Sequence, residues 1–488
     1  MNTTDESNPA LELMRAARNA ARDRREVPVE DRARRLGRLR TLIVQSRKDI
    51  VAQLCEETGK TSAEALISDV LPTLEILHHL EDHAAEFLRP HRRPTPLIYR
   101  PATSRVQYRP RGVVLVIAPW NNPFQLSLVP AASALAAGNA VILKPSERTP
   151  QTGRMVGDLC RRAGIENHAL QVACGGGDLA EALVEAGPDM IFFTGGTRNG
   201  RAVLRAAAGQ LIPVTLELGG KDPMIVFADA NLTRAARAAA YGAFAHAGQH
   251  CVSIKRLYVH NEIYEQFLRQ LTATIRDLPE DDLRAPVVDE SAGKQATEQV
   301  REAIEAGARL LLPDDPSRAA TRPTLLADAS HAMRIMREET FAPVLAAQSF
   351  KSEQEALRLA NDSSFGLNAS LWSEDSALCE RVVDRMETGN VFVNNVFTNV
   401  GNPHLPFGGV KDSGLGRYHG PEGLRSFCHT TSVMISRNQK DDEPNWFPHT
   451  KDRIENVKEL IELRHGDRSI LRKITGWLKL LWRMRESC

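Results

Sequence analysis

A chain of 488 residues, 42% of them apolar, with 32 glycines and 27 prolines, is long enough for two or three packed units and too apolar to remain disordered. Its 62 Lys and Arg balance 61 Asp and Glu, so no overall field exists to hold nucleic acid or an acidic surface. Seven scattered cysteines, odd in number and without a CxxC pair, argue against a disulfide framework and a cysteine zinc site, and place the chain in a reducing, cytoplasmic compartment.

From Pro9 to Arg89 apolar residues recur at spacings of three and four (Leu36, Leu39, Leu42, Ile43, then Leu71, Leu74, Leu77, Leu80), which predicts amphipathic helices. Pro90 to Pro110, with Leu97, Ile98 and Tyr99 in an alternating segment, reads as an extended excursion that could pair with another subunit. The rhythm then changes. Short apolar runs at Gly112–Ala118, Ala140–Leu143, Leu170–Val172 and Met190–Phe193 alternate with helical stretches, the pattern of parallel strands covered on both faces. A doubly wound α/β domain is expected before about residue 218, and a second α/β unit after it, with strands around Arg256–Val259 and Gly389–Val393. In the tail, Ile470, Leu471, Ile474, Trp477, Leu478 and Leu481 share one helical face, flanked by Arg472, Lys473, Lys479, Arg483 and Arg485. Such a basic amphipathic helix over 468–485 either lies in a membrane interface or caps the subunit or the mouth of its own tunnel.

Five segments carry chemistry. Pro119-Trp120-Asn121-Asn122-Pro123-Phe124 follows the first apolar run, where the C-terminal edge of a parallel strand opens into a ligand crevice and a side-chain amide can donate to an oxyanion. Lys144-Pro145-Ser146-Glu147 sets a cation and a carboxylate past a strand, suited to ribose hydroxyls. In Phe193 to Gly200, Gly195, Gly196, Thr197 and Gly200 form a strand-to-helix turn whose N–H groups favour a pyrophosphate. In Leu216-Glu217-Leu218-Gly219-Gly220, a carboxylate embedded in an apolar strand end is pushed by desolvation toward a usable general base. Gly248-Gln249-His250-Cys251 reads as the start of a helix whose amide dipoles would favour a thiolate. Taken singly, each segment is equally well a turn, a solvated loop or a structural residue.

Together, in this order, they resemble the aldehyde dehydrogenase superfamily. Glu338-Glu339-Thr340-Phe341-Ala342-Pro343-Val344 and Pro406-Phe407-Gly408-Gly409-Val410-Lys411-Asp412-Ser413-Gly414 are similar to two further segments of that family, so the likeness runs from about residue 110 to 437. It implies an α/β fold: a Rossmann-type cofactor domain (1–91 and 111–218), an α/β catalytic domain (219–427), a small oligomerisation arm (92–110 and 428–437) and a tail (438–488). It also implies roles. Cys251 would be the nucleophile, Glu217 the general base, and Asn121 with the Cys251 N–H the oxyanion hole. NAD, with NADP as the alternative, would be bound by Trp120, Lys144, Ser146, Glu147, Gly195, Gly196, Thr197, Gly200, Leu218, Glu339 and Phe341, with no metal. Asn121 to Phe124, Tyr418 to Gly420, Ser426 to His429 and Trp446 to Pro448 look most like the branch acting on aromatic and medium- to long-chain aldehydes. A homodimer or homotetramer is expected. Competing readings are a coenzyme A-acylating enzyme, which Glu217 disfavours, and a silent binding protein on the same fold. One position departs from the family pattern: Ala342 stands where glycine is common, which leaves the path of its loop open.

Overall fold

The computed structural model describes residues 9–467 except 167, 284, 320, 439, 440 and 444, together with residue 476. The chain divides into two units, Met1–Arg89 with Tyr108–Thr431, and Pro90–Gln107 with Ser432–Cys488.

The larger unit holds two sheets. The first has six strands in the order Gly414–Leu415, Val214–Glu217, Met190–Thr194, Val113–Ile117, Ala140–Lys144, Leu170–Val172. All pair in parallel except Gly414–Leu415, which runs antiparallel to Val214–Glu217. The three central strands are buried at every residue, which is why they read as unbroken apolar runs. One face is covered by Leu36, Leu39, Ile43, Leu77, Leu80 and the helix Pro123–Ala136, the other by Met14, Ala17 and Ala21. The chain leaves Val113–Ile117 first toward Ala140–Lys144, then crosses to Met190–Thr194 on the opposite side. That reversal opens a crevice at the C-terminal end of Val113–Ile117, where Trp120 and Asn121 sit.

The second sheet has seven strands in the order Arg309–Leu312, Thr324–Ala327, Val344–Phe350, Ile254–His260, Asp222–Val226, Asn368–Trp372, Asn390–Val393. Only the first of these is antiparallel to its neighbour. Residues 219–427 do not all belong to this sheet. Gly414–Leu415 completes the first sheet, and Phe407, Tyr418, Leu424 and Phe427 are part of the first core. A two-residue strand that begins on a glycine carries no periodicity that a sequence could display.

The smaller unit contains a three-stranded sheet in the order His91–Arg93, Thr103–Pro110, Cys428–Ile435, the last two running past the unit boundary, with His91 antiparallel to Val106. Leu97–Tyr99, expected to be extended, forms a 3-10 turn. The helix Lys451–His465 follows. The amphipathic helix expected over 468–485 lies outside the described residues. Among the described residues no helix is long and apolar enough to cross a membrane.

Candidate active site

A cavity of about 460 Å³ opens at the crevice of the first sheet. Its lining includes Trp120, Asn121, Lys144, Ser146, Glu147, Gly195, Gly196, Glu217, Leu218, Cys251, Glu339 and Phe341. Segments spread over more than two hundred residues of sequence are therefore neighbours. Two of the expected residues do not line it. The Thr197 hydroxyl donates to the Asp412 carbonyl at 3.3 Å. A Cβ on Gly200 would lie 2.4 Å from the Leu218 side chain, so that glycine lets the helix Thr197–Ala208 approach the strand end.

Asn121 is 5% exposed and its amide donates to the Gln249 carbonyl at 3.0 Å. One amide proton is thereby committed and the other is left for a ligand in the cavity. The position of Asn121 rests on a buried network beneath it. Asp69 accepts from the Phe124 and Gln125 backbone N–H groups, each at 3.1 Å, at the start of the helix Pro123–Ala136. Lys60 donates to Asp69 at 2.6 Å and also bonds the Asn122 side-chain oxygen. Asn122 in turn lies 3.2 Å from the His250 ring.

Cys251 does not begin a helix. The helix Leu232–Phe244 ends at a 3-10 turn in which His246 (φ 50°), Ala247 (φ 53°) and Gly248 (φ 66°) are all left-handed, and Cys251 sits in the turn before the strand Ile254–His260. Two non-glycine residues in that region store strain of about 1–3 kcal/mol each. The bend is held by the His246 N–H donating to Glu64 at 2.7 Å and by Lys255 donating to the Gly248 and Ala342 carbonyls at 2.9 and 2.7 Å. No helix dipole therefore aids the thiolate. Burial first, then Asp222, Glu217 and Glu339, push the Cys251 thiol up, so ionisation needs a proton acceptor or a cationic ligand close by. The left-handed residues that redirect the chain leave no mark in residue type.

Glu217 ends the Val214–Glu217 strand, and neither carboxylate oxygen has a hydrogen-bond partner. Burial raises its pKa well above the ordinary 4.5, against a smaller opposing effect of Arg417. The glycines beside it set the distances of the site. A Cβ on Gly219 would meet the Glu339 carboxylate at 2.0 Å, and one on Gly220 the Cys251 carbonyl at 2.5 Å. A Cβ on Gly408, in the C-terminal segment, would lie 2.8 Å from Glu217 itself. Glu339 is likewise raised, mainly by burial, with Lys221, the Gly220 N–H and Lys255 opposing. Burial brings Lys255 down to about 7.

At the cavity's other end Lys144 pairs with Glu147 at 3.3 Å, the lysine buried and the glutamate 59% exposed. Burial would raise the Glu147 carboxyl, but its own backbone N–H and Lys144 outweigh it and leave the pKa lowered. A dinucleotide fits what lies between. The buried Thr194 hydroxyl has no partner, and a Cβ on Gly196 would meet nothing within 4 Å, so backbone N–H groups at the helix N-terminus are open to a phosphate. Trp120 and Phe341 meet edge to face at 5.8 Å and wall the inner end. Ala342 lies outside the left-handed region and is buried, so its methyl group strains nothing.

Sequence reasoning missed Asn199, Asp289, Ser291 and Gln295, which also line the cavity. Asp289 caps the helix Glu290–Glu305 by accepting from the Ser291 N–H at 2.9 Å. The Asp-Glu-Ser triplet was a readable helix start, but nothing local joins it to the first sheet.

Comparison with known proteins agrees with this geometry. The model of the aldehyde dehydrogenase family matches residues 4–433. The chain is similar to a 4,4'-diapolycopene aldehyde oxidase from Methylomonas sp, 42% identical over 96% of this chain and 89% of that protein. It is similar to a probable coniferyl aldehyde dehydrogenase from Pseudomonas aeruginosa, 34% identical over 87% of this chain and 90% of the other. Among solved structures, an NAD-dependent aldehyde dehydrogenase from Sinorhizobium meliloti superposes with a TM-score of 0.84 at 32% identity, covering 90% of this chain and 88% of that one.

Proposed function

The chain belongs to the aldehyde dehydrogenase family, and from that premise we propose that it oxidises a hydrophobic aldehyde, aromatic or of medium to long chain, to its carboxylate with NAD. The observation that carries this reading is the convergence of Cys251, Glu217, Asn121 and Glu339 on one cavity with a polar Lys144–Glu147 pair at its far end. The chain is an NAD(P)-dependent dehydrogenase; the exposed Glu147 carboxylate favours a ribose 2′-hydroxyl over a 2′-phosphate. Two relatives are named for 4,4'-diapolycopene aldehyde and for coniferyl aldehyde, both conjugated, which supports the hydrophobic class.

In this reading the first sheet and its loops carry most of the cofactor contacts together with Asn121 and Glu217, and the turn before the second-sheet strand Ile254–His260 carries Cys251. Lys144, Ser146 and Glu147 hold the adenosine ribose, the Gly195–Gly196 turn the pyrophosphate, Glu339 the nicotinamide ribose, and Trp120, Leu218 and Phe341 the ring. When bound, the dinucleotide supplies the acceptor for the aldehyde hydride. Cys251 Sγ, its proton lost to solvent in the cavity, attacks the carbonyl carbon, and the carbonyl oxygen, now an anion, is held by the Asn121 amide and the Cys251 backbone N–H. Departure of the hydride leaves an acyl group on Cys251. Glu217 then takes a proton from a water molecule that attacks this thioester, and the carboxylate leaves as the Cys251 sulfur is regained. A carboxyl of raised pKa, without hydrogen bonds, is suited to that transfer.

The test is the absorbance of reduced cofactor with NAD or NADP and aldehydes from acetaldehyde to decanal, with benzaldehyde, and Cys251→Ala as control. Turnover that rises with chain length or aromaticity, favours NAD and is lost in the control is expected. Preference for acetaldehyde would overturn the substrate class. Reduction only in the presence of coenzyme A, with acyl-CoA as product, would overturn the hydrolytic step.

A further inference from the structure

We infer that His79, His83 and His404 form a binding site for a divalent late transition metal ion such as zinc, nickel or copper. His79 and His83 are one turn apart on the helix Leu71–Leu88, so both project from one face. His404 comes from the segment that leads into Pro406 and Phe407. One ring nitrogen from each histidine lies within 4.8 Å of the others. The ring centroids are 4.7 Å apart for His79 and His83, 4.3 Å for His79 and His404, and 5.7 Å for His83 and His404. Nitrogens about 2.0–2.1 Å from a tetrahedral ion stand roughly 3.4 Å from each other, so side-chain rotation on the order of 1 Å completes the set.

His79 is 6% exposed, and neither of its ring nitrogens has a hydrogen-bond partner. Buried polar atoms without partners are rare in folded proteins, and an ion is one means of satisfying them. His83 is half-buried and His404 exposed, which leaves an entry path and a fourth position for water. Three imidazoles select zinc, nickel or copper over magnesium or calcium, whose preferred ligands are oxygens. None of the three lines the catalytic cavity. An ion here would instead tie the 404–408 segment, which ends at the glycine packed on Glu217, to the helix. The competing explanation is an aromatic cluster with Phe87, whose ring lies 5.5 Å from His79 and 5.6 Å from His83, and which needs no ion.

The experiment uses untagged, full-length protein carrying Cys251→Ser, so that the thiol takes no metal, stripped with chelator and titrated with cobalt(II), then zinc(II). One equivalent of cobalt(II) with the visible absorption of a tetrahedral nitrogen site, displaced by zinc, is expected. So is a rise in Tm that tracks zinc concentration. His404→Ala alone, and His83→Ala with His404→Ala, should weaken binding by more than the roughly 10–100-fold that loss of an outer partner costs, while Tm in chelator stays that of the parent. Binding unchanged in both variants, or less than one equivalent in the parent, overturns the site. His404 is exposed, so at least that variant separates loss of the ligand from loss of the fold.

Discussion

At the scale of single residues the active site stores free energy against its own stability. Glu217 is the clearest case: its carboxyl is buried with both oxygens unpaired and its pKa is raised by that burial. A group whose folded pKa lies above its unfolded one favours the fold below the unfolded value, here the ordinary 4.5, and loses that contribution as pH rises through the folded value. Glu217→Gln removes the charge and keeps the shape, so its Tm should exceed that of the parent at pH 8 and converge on it near pH 4.5. The same variant should retain a burst of reduced cofactor equal to one acylation while steady-state turnover falls about 10²–10⁴-fold. Equal Tm differences at both pH values would remove the desolvation argument, and loss of the burst would give Glu217 a role in acylation as well. The residue type and the apolar setting of Glu217 were legible in the sequence because desolvation is local. The setting of Cys251 was not, because three consecutive left-handed residues, two of them non-glycine, place it in a turn.

Among the elements, the helix Pro123–Ala136 shows how distant residues position a catalytic amide. Its own cap, Asn122, makes no side-chain cap bond. Asp69 supplies the acceptor instead, at 3.1 Å to each of two N–H groups, and buried Lys60 balances the charge. Removing one partner of a buried pair strands the other, at a cost of about 3–5 kcal/mol. Asp69→Ala should therefore lower stability by about that amount in urea unfolding, and lower kcat, since Asn121 stands two residues before the helix begins. Unchanged kcat in a protein folded at the assay temperature would show that Asn121 is held by Gln249 alone. The helices around Leu36–Ile43 and Leu71–Leu80 and the buried strands of both sheets were readable from periodicity, because each hides most of its apolar positions on one or both faces, Leu71 at 53% exposed being an exception. Gly414–Leu415 and the approach of Asp289 to the cavity were not, since pairing across the fold produced them.

The whole molecule has a smaller unit whose strand Cys428–Ile435 forms one edge of a three-stranded sheet, with Met434 55% and Ile435 41% exposed. Apolar edges of this kind attract a further strand, and we propose that residues 92–110 and 428–437 form the arm of a homodimer or homotetramer. Light scattering should give a mass of two or four chains, and the double substitution Met434→Lys with Ile435→Lys should shift it to one. A monomeric parent would dismiss the arm without touching the active-site reading.

The sequence by itself determined the α/β character, the helices and buried strands, and the short segments whose order marks the family, because apolar periodicity and turn chemistry act over a few residues. The tertiary structure decided which of those segments share a cavity, that Thr197 and Gly200 do not line it, that Cys251 lies in a strained turn, and that three histidines from two distant segments face one another. Those facts depend on how the chain reverses across the first sheet and closes back through Gly408 and Gly414, and contacts between segments hundreds of residues apart have no signature in the local order of side chains.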